Sequence, residues 1–435
     1  MLQSVSDKGH DNAAAIGTTQ NLSVSFSKRN SRHRGGLTLS PRDFSRDQAS
    51  WRRRITTYMG KVKQLAVFLL VGTTILMAQS PKQIPSFKVD ALWPKPLPNH
   101  WLVGAVAGVA LDSRDHVWII HRPSTLQPNE IRASYRGAPP VLEFDPEGNL
   151  VSSWGGPGNG YEWPELEHGI YVDSKNNVWL AGAGAKDNQI LKFTHDGQFL
   201  MQIGHSGKNR GSNDPENVGG PAGFVIDEKE HDLYVADGYL NHRIVVFDAE
   251  TGAYKRHWGA YGRKPDDSYF QNAGERLPGP FNGTVQHEDR PSQYDPAGPP
   301  PEQFRVVHAV RISSDGLVYV CDRTNDRIQV FKKDGTFVRE AFVAKETLGS
   351  GSVWDIAFSP DPAQMFLIVP DGTNQVIRIL RRESLEIVGE FGGGGHWAGQ
   401  FYGAHNIASD SRGNVYITET YEGKRFQKFV YHGRR

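Results

Sequence analysis

Short apolar runs recur along most of the chain, each bounded by Asn, Asp, Gly or Ser, and each too brief for a globular helix. The runs fall into a repeated unit. It begins with a small residue or histidine, continues apolar-x-apolar-Asp/Ser, turns at Asn/Asp/Gly, and enters an apolar-aromatic strand. A polar turn, a strand ending in Phe, a "DG" or "EG" turn and a last strand complete it. Copies start at "AGVALDSRDHVWIIHR" (107–122), "HGIYVDSKNNVWLAGAG" (168–184), "AGFVIDEKEHDLYVADGYLNHRIVVFD" (222–248), "HAVRISSDGLVYVCDRTNDRIQVFKKDG" (308–335), "WDIAFSPDPAQMFLIVPDGTNQVIRIL" (354–380) and "HNIASDSRGNVYITETYEGKRFQKF" (405–429). Four strands per unit and six units predict an all-β, six-bladed β-propeller.

The sixth copy stops after its third strand, which would leave an open sheet edge. The segment "SFKVDALWP" (86–94) is a spare strand, and we expect it to complete the last blade. Between the third and fourth copies, 260–303 is an unusually long insertion rich in Pro, Gly and Asp. "GEFGGGGHWAGQF" (389–401) lacks the strand, Lys and Ser/Thr context of a phosphate loop and reads as an inter-blade linker.

Ahead of the repeats, residues 1–58 are polar, Ser/Arg-rich and without apolar periodicity, which predicts a disordered extension. Residues 59–78 carry Met59, Lys61 and Lys63, then an apolar run from Leu65 to Met77. That is the layout of a signal peptide or a retained membrane anchor, with Met59 as the true start. Residues 79–435 are then the propeller, secreted or periplasmic, or held outside the cytoplasm by the anchor.

Composition narrows the field further. The 435 residues carry a formal net charge of +1, with none of the basic excess that nucleic-acid binding leaves. The 47 glycines and 26 prolines suit many short strands and turns. Cys321, the single cysteine, lies in the apolar run "VYVC" and reads as a buried, inert thiol that excludes a disulfide framework within one chain.

Aligning the copies puts Ala107, His168, Ala222, His308, Trp354 and His405 at one equivalent position. Histidine falls on alternate blades, a third of a turn apart in a six-bladed ring, so three imidazoles would converge near the central channel. Three protein ligands with a fourth position open is the arrangement of a catalytic zinc site, and imidazole suits other transition metals as well. A histidine at the start of a propeller strand also serves simply to bond neighbouring backbone. At the ends of second strands, Arg122, Tyr239 and Arg323 would project over one face, where arginines suit a carboxylate and tyrosine a general base. Arg243 and Arg327, in "NHR" and "NDR", read as turn ties.

At these residues the sequence resembles NHL-repeat six-bladed propellers, and more specifically the peptidyl-α-hydroxyglycine α-amidating lyase family, over about 103–429. "EHGIYVD", "VVHAVRI" and "GAHNIAS" match that family's zinc-histidine motifs at His168, His308 and His405. "VAGVALDSRDHVWIIHR" carries its arginine at Arg122, "VADGYLNHRIVVF" its catalytic tyrosine at Tyr239, and "VCDRTNDRIQVF" an arginine at Arg323. The resemblance implies a zinc lyase that splits the N–Cα bond of a peptidyl-α-hydroxyglycine into an amide and glyoxylate. It further implies a structural calcium held by the carbonyls of Val109 and Ile170 and by an aspartate whose place Asn406 takes here. The expected partner is a carboxylate-bearing small molecule or peptide, acted on by a monomer. Two rivals stand beside it: a non-catalytic module that binds protein or glycan, and a metal hydrolase or lyase for another small anion.

Overall fold

The computed structural model describes residues 83–132, 134–269 and 295–435. The expected leader and disordered extension therefore lie outside the described residues, as does most of the 260–303 insertion.

Six four-stranded antiparallel sheets form the blades of the propeller. Blade 1 runs from its inner strand Ala105–Leu111 to its outer strand Leu150–Trp154, blade 2 from Glu167–Val172 to Phe199–Gly204, and blade 3 from Pro221–Asp227 to Tyr254–Trp258. Blade 4 runs from Val307–Ile312 to Phe337–Phe342, and blade 5 from Ala357–Phe358 to Ile387–Gly392. Blade 6 has three strands from the chain's end, Ala404–Ser409, Val415–Glu419 and Arg425–Arg434. Its fourth is Pro85–Asp90, antiparallel to Arg425–Arg434 with Val89 opposite Phe429. The spare strand predicted at 86–94 thus completes the last blade, while Trp93 leaves the sheet to pack on Tyr416 and Phe426. A short parallel pairing of Trp101–Leu102 with Arg136–Gly137 was not anticipated.

Alternation along the strands sends side chains to both faces of each blade, so the hydrophobic clusters lie between blades. Trp179 of blade 2 packs with Phe224 and Val245 of blade 3, for example, and Tyr319 of blade 4 with Leu367 of blade 5. The repeated Asp at the end of inner strands caps its own turn. Asp173 Oδ1 accepts from Lys175 N and Asn177 N at 3.0 and 2.7 Å, and its Oδ2 accepts from Trp179 Nε1 at 3.1 Å. Asp410 repeats this with Arg412, Asn414 and Tyr416. Arg243 and Arg327 are buried on Asp237 and Asp322, at 2.8 and 2.7 Å, and also bond carbonyls of the connecting loops.

Deleting residues 85–90 is expected to lower the melting temperature by roughly 10 °C, because it uncovers the edge of blade 6 and removes Phe87 from Phe391 and Tyr431. Calorimetry showing an unchanged transition would contradict closure by this strand.

Two buried histidines away from the aligned position contribute to an acid limit. Burial holds His121 and His242 down to about 4 against an ordinary 6.5. Both stay neutral in the folded chain while the unfolded chain takes up protons below 6.5, so stability falls as pH drops from 6.5 towards 4. Each costs about 1.4 kcal/mol per pH unit across that window. Melts should be level above pH 7 and shift downward below 6.5, with a shallower slope in His121→Gln.

Candidate metal centre and surrounding catalytic groups

The aligned position is special because the inner strands bulge there. Register shifts fall between Val106 and Gly108, Glu167 and Ile170, Pro221 and Gly223, Val307 and Ala309, and Ala404 and Ile407. Each interval contains the aligned residue. A bulge leaves a residue unpaired and re-aims it, which here turns the imidazoles of His168, His308 and His405 towards one another. Their ring centroids are 4.8 to 5.0 Å apart.

The intervening blades use the same position through the backbone. His168 Nδ1 meets the Ala222 carbonyl at 2.7 Å, His308 Nδ1 the Trp354 carbonyl at 2.5 Å, and His405 Nδ1 the Ala107 carbonyl at 2.7 Å. Since a carbonyl only accepts, each Nδ1 carries the proton and each Nε2 keeps its lone pair. The backbone bonding that is one alternative on sequence grounds is present, and it is compatible with the other, since it leaves the three Nε2 atoms turned towards one another. One donor atom from each histidine lies within 4.8 Å of the others. Burial, reinforced by Arg122 and Arg323, holds His405 down to about 3, and burial likewise pushes His168 and His308 well below 6.5. Three neutral imidazoles, each oriented by an outer hydrogen bond, fit a divalent transition metal.

Tyr239 reaches over this centre. Its hydroxyl lies 2.9 Å from His168 Nε2 and 3.2 Å from His308 Nε2, and receives Arg323 Nη1 at 3.3 Å. Glycine makes that approach feasible: a Cβ on Gly238 would stand 2.2 Å from Val307 N, so only glycine lets this turn press on blade 4. Arg323 is 3% exposed, and its guanidinium lies 4.5 Å from the Trp354 ring and 5.6 Å from that of Tyr239. Its Nε has no hydrogen-bond partner. Trp354, noted in sequence only as an exception to the histidine register, anchors His308 through its carbonyl and carries Arg323 on its ring. Arg122 is 2% exposed and donates Nε to the Glu167 carbonyl at 2.7 Å. Its burial lowers its pKa, opposed by Tyr239 and Glu167. His396, in the Gly-rich linker, stacks on Tyr402.

Further along the inner strands, Val109 and Ile170 line a cavity of about 480 Å³. Asn406 is 6% exposed, with Oδ1 lacking a hydrogen-bond partner and Nδ2 donating to Asp355 Oδ2 at 3.0 Å. Asp355 is the blade 5 counterpart of Asn406, so a carboxylate stands one blade away from where the resemblance expects it. That carboxylate also takes Arg311 Nη2 at 2.6 Å and Ile407 N at 3.1 Å. A calcium ion favours carboxylate charge. Asn406 supplies none and Asp355 spends its own on Arg311, so the implied calcium set fits poorly.

An NHL repeat model matches residues 304–331. Peptidyl-alpha-hydroxyglycine alpha-amidating lyase 1 of Drosophila melanogaster is 27% identical over 83% of this chain and 65% of its own length, so the match leaves about a third of that protein unspanned. NHL repeat-containing protein 3 of Mus musculus is 24% identical over 70% of each. A solved streptogramin B lyase structure aligns over 81% of this chain and all of its own at 12% identity and a TM-score of 0.46. Sequence and architecture together make the chain a six-bladed propeller that carries an NHL repeat match in blade 4 and resembles the peptidyl-α-hydroxyglycine α-amidating lyases.

Proposed function

We propose that the chain is a metal-dependent carbon–nitrogen lyase that splits a peptidyl-α-hydroxyglycine-type carbinolamide into an amide and glyoxylate. The observation that carries this reading is the Tyr239 hydroxyl lying on the Nε2 atoms of two centre histidines beside Arg323. His168, His308 and His405 would hold the metal, which when bound supplies a Lewis acid for a substrate oxygen. Zinc is the ion we propose, on the strength of the three-imidazole set.

The substrate joins R–CO–NH to a carbon bearing hydroxyl and carboxylate. Tyr239 Oη takes the hydroxyl proton as the carbon–oxygen double bond forms and the N–Cα bond breaks. The bonding pair leaves on nitrogen, which receives the phenol's own proton from Tyr239 Oη to become the amide, so the tyrosine is restored and the step needs neither oxidant nor water. Arg323, with its Nε unpaired, and Arg122, enclosed beside Glu167, hold the carboxylate and orient the carbon. The low-dielectric surroundings of both arginines strengthen that hold.

The test is to purify the chain, measure bound metal and follow glyoxylate release from α-hydroxyhippurate. Metal with glyoxylate supports the proposal. Metal without glyoxylate favours a lyase or hydrolase for another anion, and neither favours a binding module.

A further inference from the structure

At the far end of the inner strand, blades 1, 2 and 6 share an Asp-capped turn beside a buried aromatic, and blade 1 differs from the other two in what surrounds it. In blades 2 and 6 the residue facing the buried aromatic across the next strand is lysine: Lys192 opposite Trp179 and Lys428 opposite Tyr416. Lys192 Nζ sits 4.6 Å from the Trp179 ring and 4.0 Å from Asp173 Oδ2, compensating the turn aspartate. In blade 1 the residue facing Trp118 is Glu143, fully buried. Where the other two blades place Asn177 and Asn414, blade 1 places His116.

A turn from blade 2 closes on this spot with His195, whose ring meets the Trp118 ring edge-on at 5.1 Å. His195 Nδ1 donates to Asp196 Oδ1 at 2.7 Å, and its Nε2 faces Glu143 Oε2 at 3.1 Å, an ion pair when the imidazole is protonated. Oε2 receives no hydrogen bond, although Glu143 is buried. With the imidazole neutral, Nε2 and Oε2 present two facing lone pairs, which a cation between them would satisfy. His116 Nδ1 lies 2.7 Å from Glu143 Oε1, and donor atoms of Asp112, His116 and Glu143 lie within 4.8 Å of one another. One nitrogen occupies the middle: Arg114 Nη2, at 2.6 Å from Asp112 Oδ2, 2.9 Å from Glu143 Oε1 and 3.3 Å from His195 Nε2. The Arg114 side chain is 47% exposed and can swing into solvent.

We propose that Asp112, His116, Glu143 and His195 form a second divalent-metal site that joins blade 1 to blade 2, with Arg114 as its displaceable internal stand-in. Two imidazoles and two carboxylates suit Zn²⁺ or an ion of similar borderline character. The site is separate from the three-histidine centre: Asp112 lies five residues along the strand from Ala107, roughly 17 Å.

Full-length chain stripped with chelator and titrated with Zn²⁺ should bind two equivalents. His168→Ala should lose one of them and keep the other. Glu143→Gln and His195→Ala should each weaken the remaining equivalent by about 100-fold or more while glyoxylate release persists. His195 lies on a surface turn, so that variant keeps the test usable if Glu143→Gln does not fold. Arg114→Ala should tighten the site by about tenfold, since it removes the competing cation. A single equivalent in the parent chain, or a second one unaffected by both Glu143→Gln and His195→Ala, would overturn the site. Weaker binding in Arg114→Ala would overturn the stand-in role.

Discussion

His168→Ala is expected to empty the three-histidine centre and to reduce glyoxylate release by about 1000-fold or more. Among the described residues the group holds three imidazoles and no carboxylate to compensate, so removing one leaves a two-ligand site. An outer hydrogen bond alone typically tunes metal affinity by about 10- to 100-fold, and a direct ligand should exceed that. The Lewis-acid contribution forfeited is several kcal/mol, which sets the rate loss. The imidazole is fully buried and bonded to the Ala222 carbonyl, so some stability goes with it. His405→Ala, on another blade with a different backbone anchor, should reproduce the loss of metal and activity. Atomic absorption on folded protein reads the outcome, and full metal retention in both variants would remove the centre from consideration.

Tyr239→Phe should leave metal content and fold intact and lower kcat by about 10²- to 10⁴-fold, the span of a positioned proton acceptor. Only one oxygen is lost. The ring keeps its contacts with His168, His308 and the Arg323 guanidinium. KM should change little, because the proposed carboxylate contacts belong to Arg122 and Arg323. Activity within fivefold of the parent would assign proton removal to another group.

The repeat carried most of the architecture into plain view. Alternating strands with regular turns gave six blades, and an unpaired edge in the last copy pointed to Phe87 and Val89 as its cover. The convergence of His168, His308 and His405 was legible for the same reason: equal register in a symmetric ring means equal radius. The bulges were not legible, because a one-residue pairing fault leaves no mark on hydrophobic alternation. With them the use of Ala107, Ala222 and Trp354 as carbonyl anchors was hidden, since any residue but its neighbours' geometry could supply that oxygen. The contact of Tyr239 with two Nε2 atoms rests on how far one turn leans across the ring, which Gly238 permits and no spacing rule predicts. Asp355 aligns with Asn406 in the repeat, and comparing the copies one position later would have found the displaced carboxylate.

The seam of blade 6 joins residues nearly 350 positions apart, with Pro85 opposite Arg434. No other blade draws on such distant segments. During synthesis the first five blades can fold in order as their strands emerge, each hairpin local to its neighbours. The ring itself cannot shut until Arg425–Arg434 is free to receive Pro85–Asp90. His405 belongs to that last blade and its anchor, Ala107, to the first, so the third imidazole is oriented only at closure. An incomplete chain would thus present an open arc with two imidazoles set and no finished centre. Closure of the ring and assembly of the three-histidine cluster become one event.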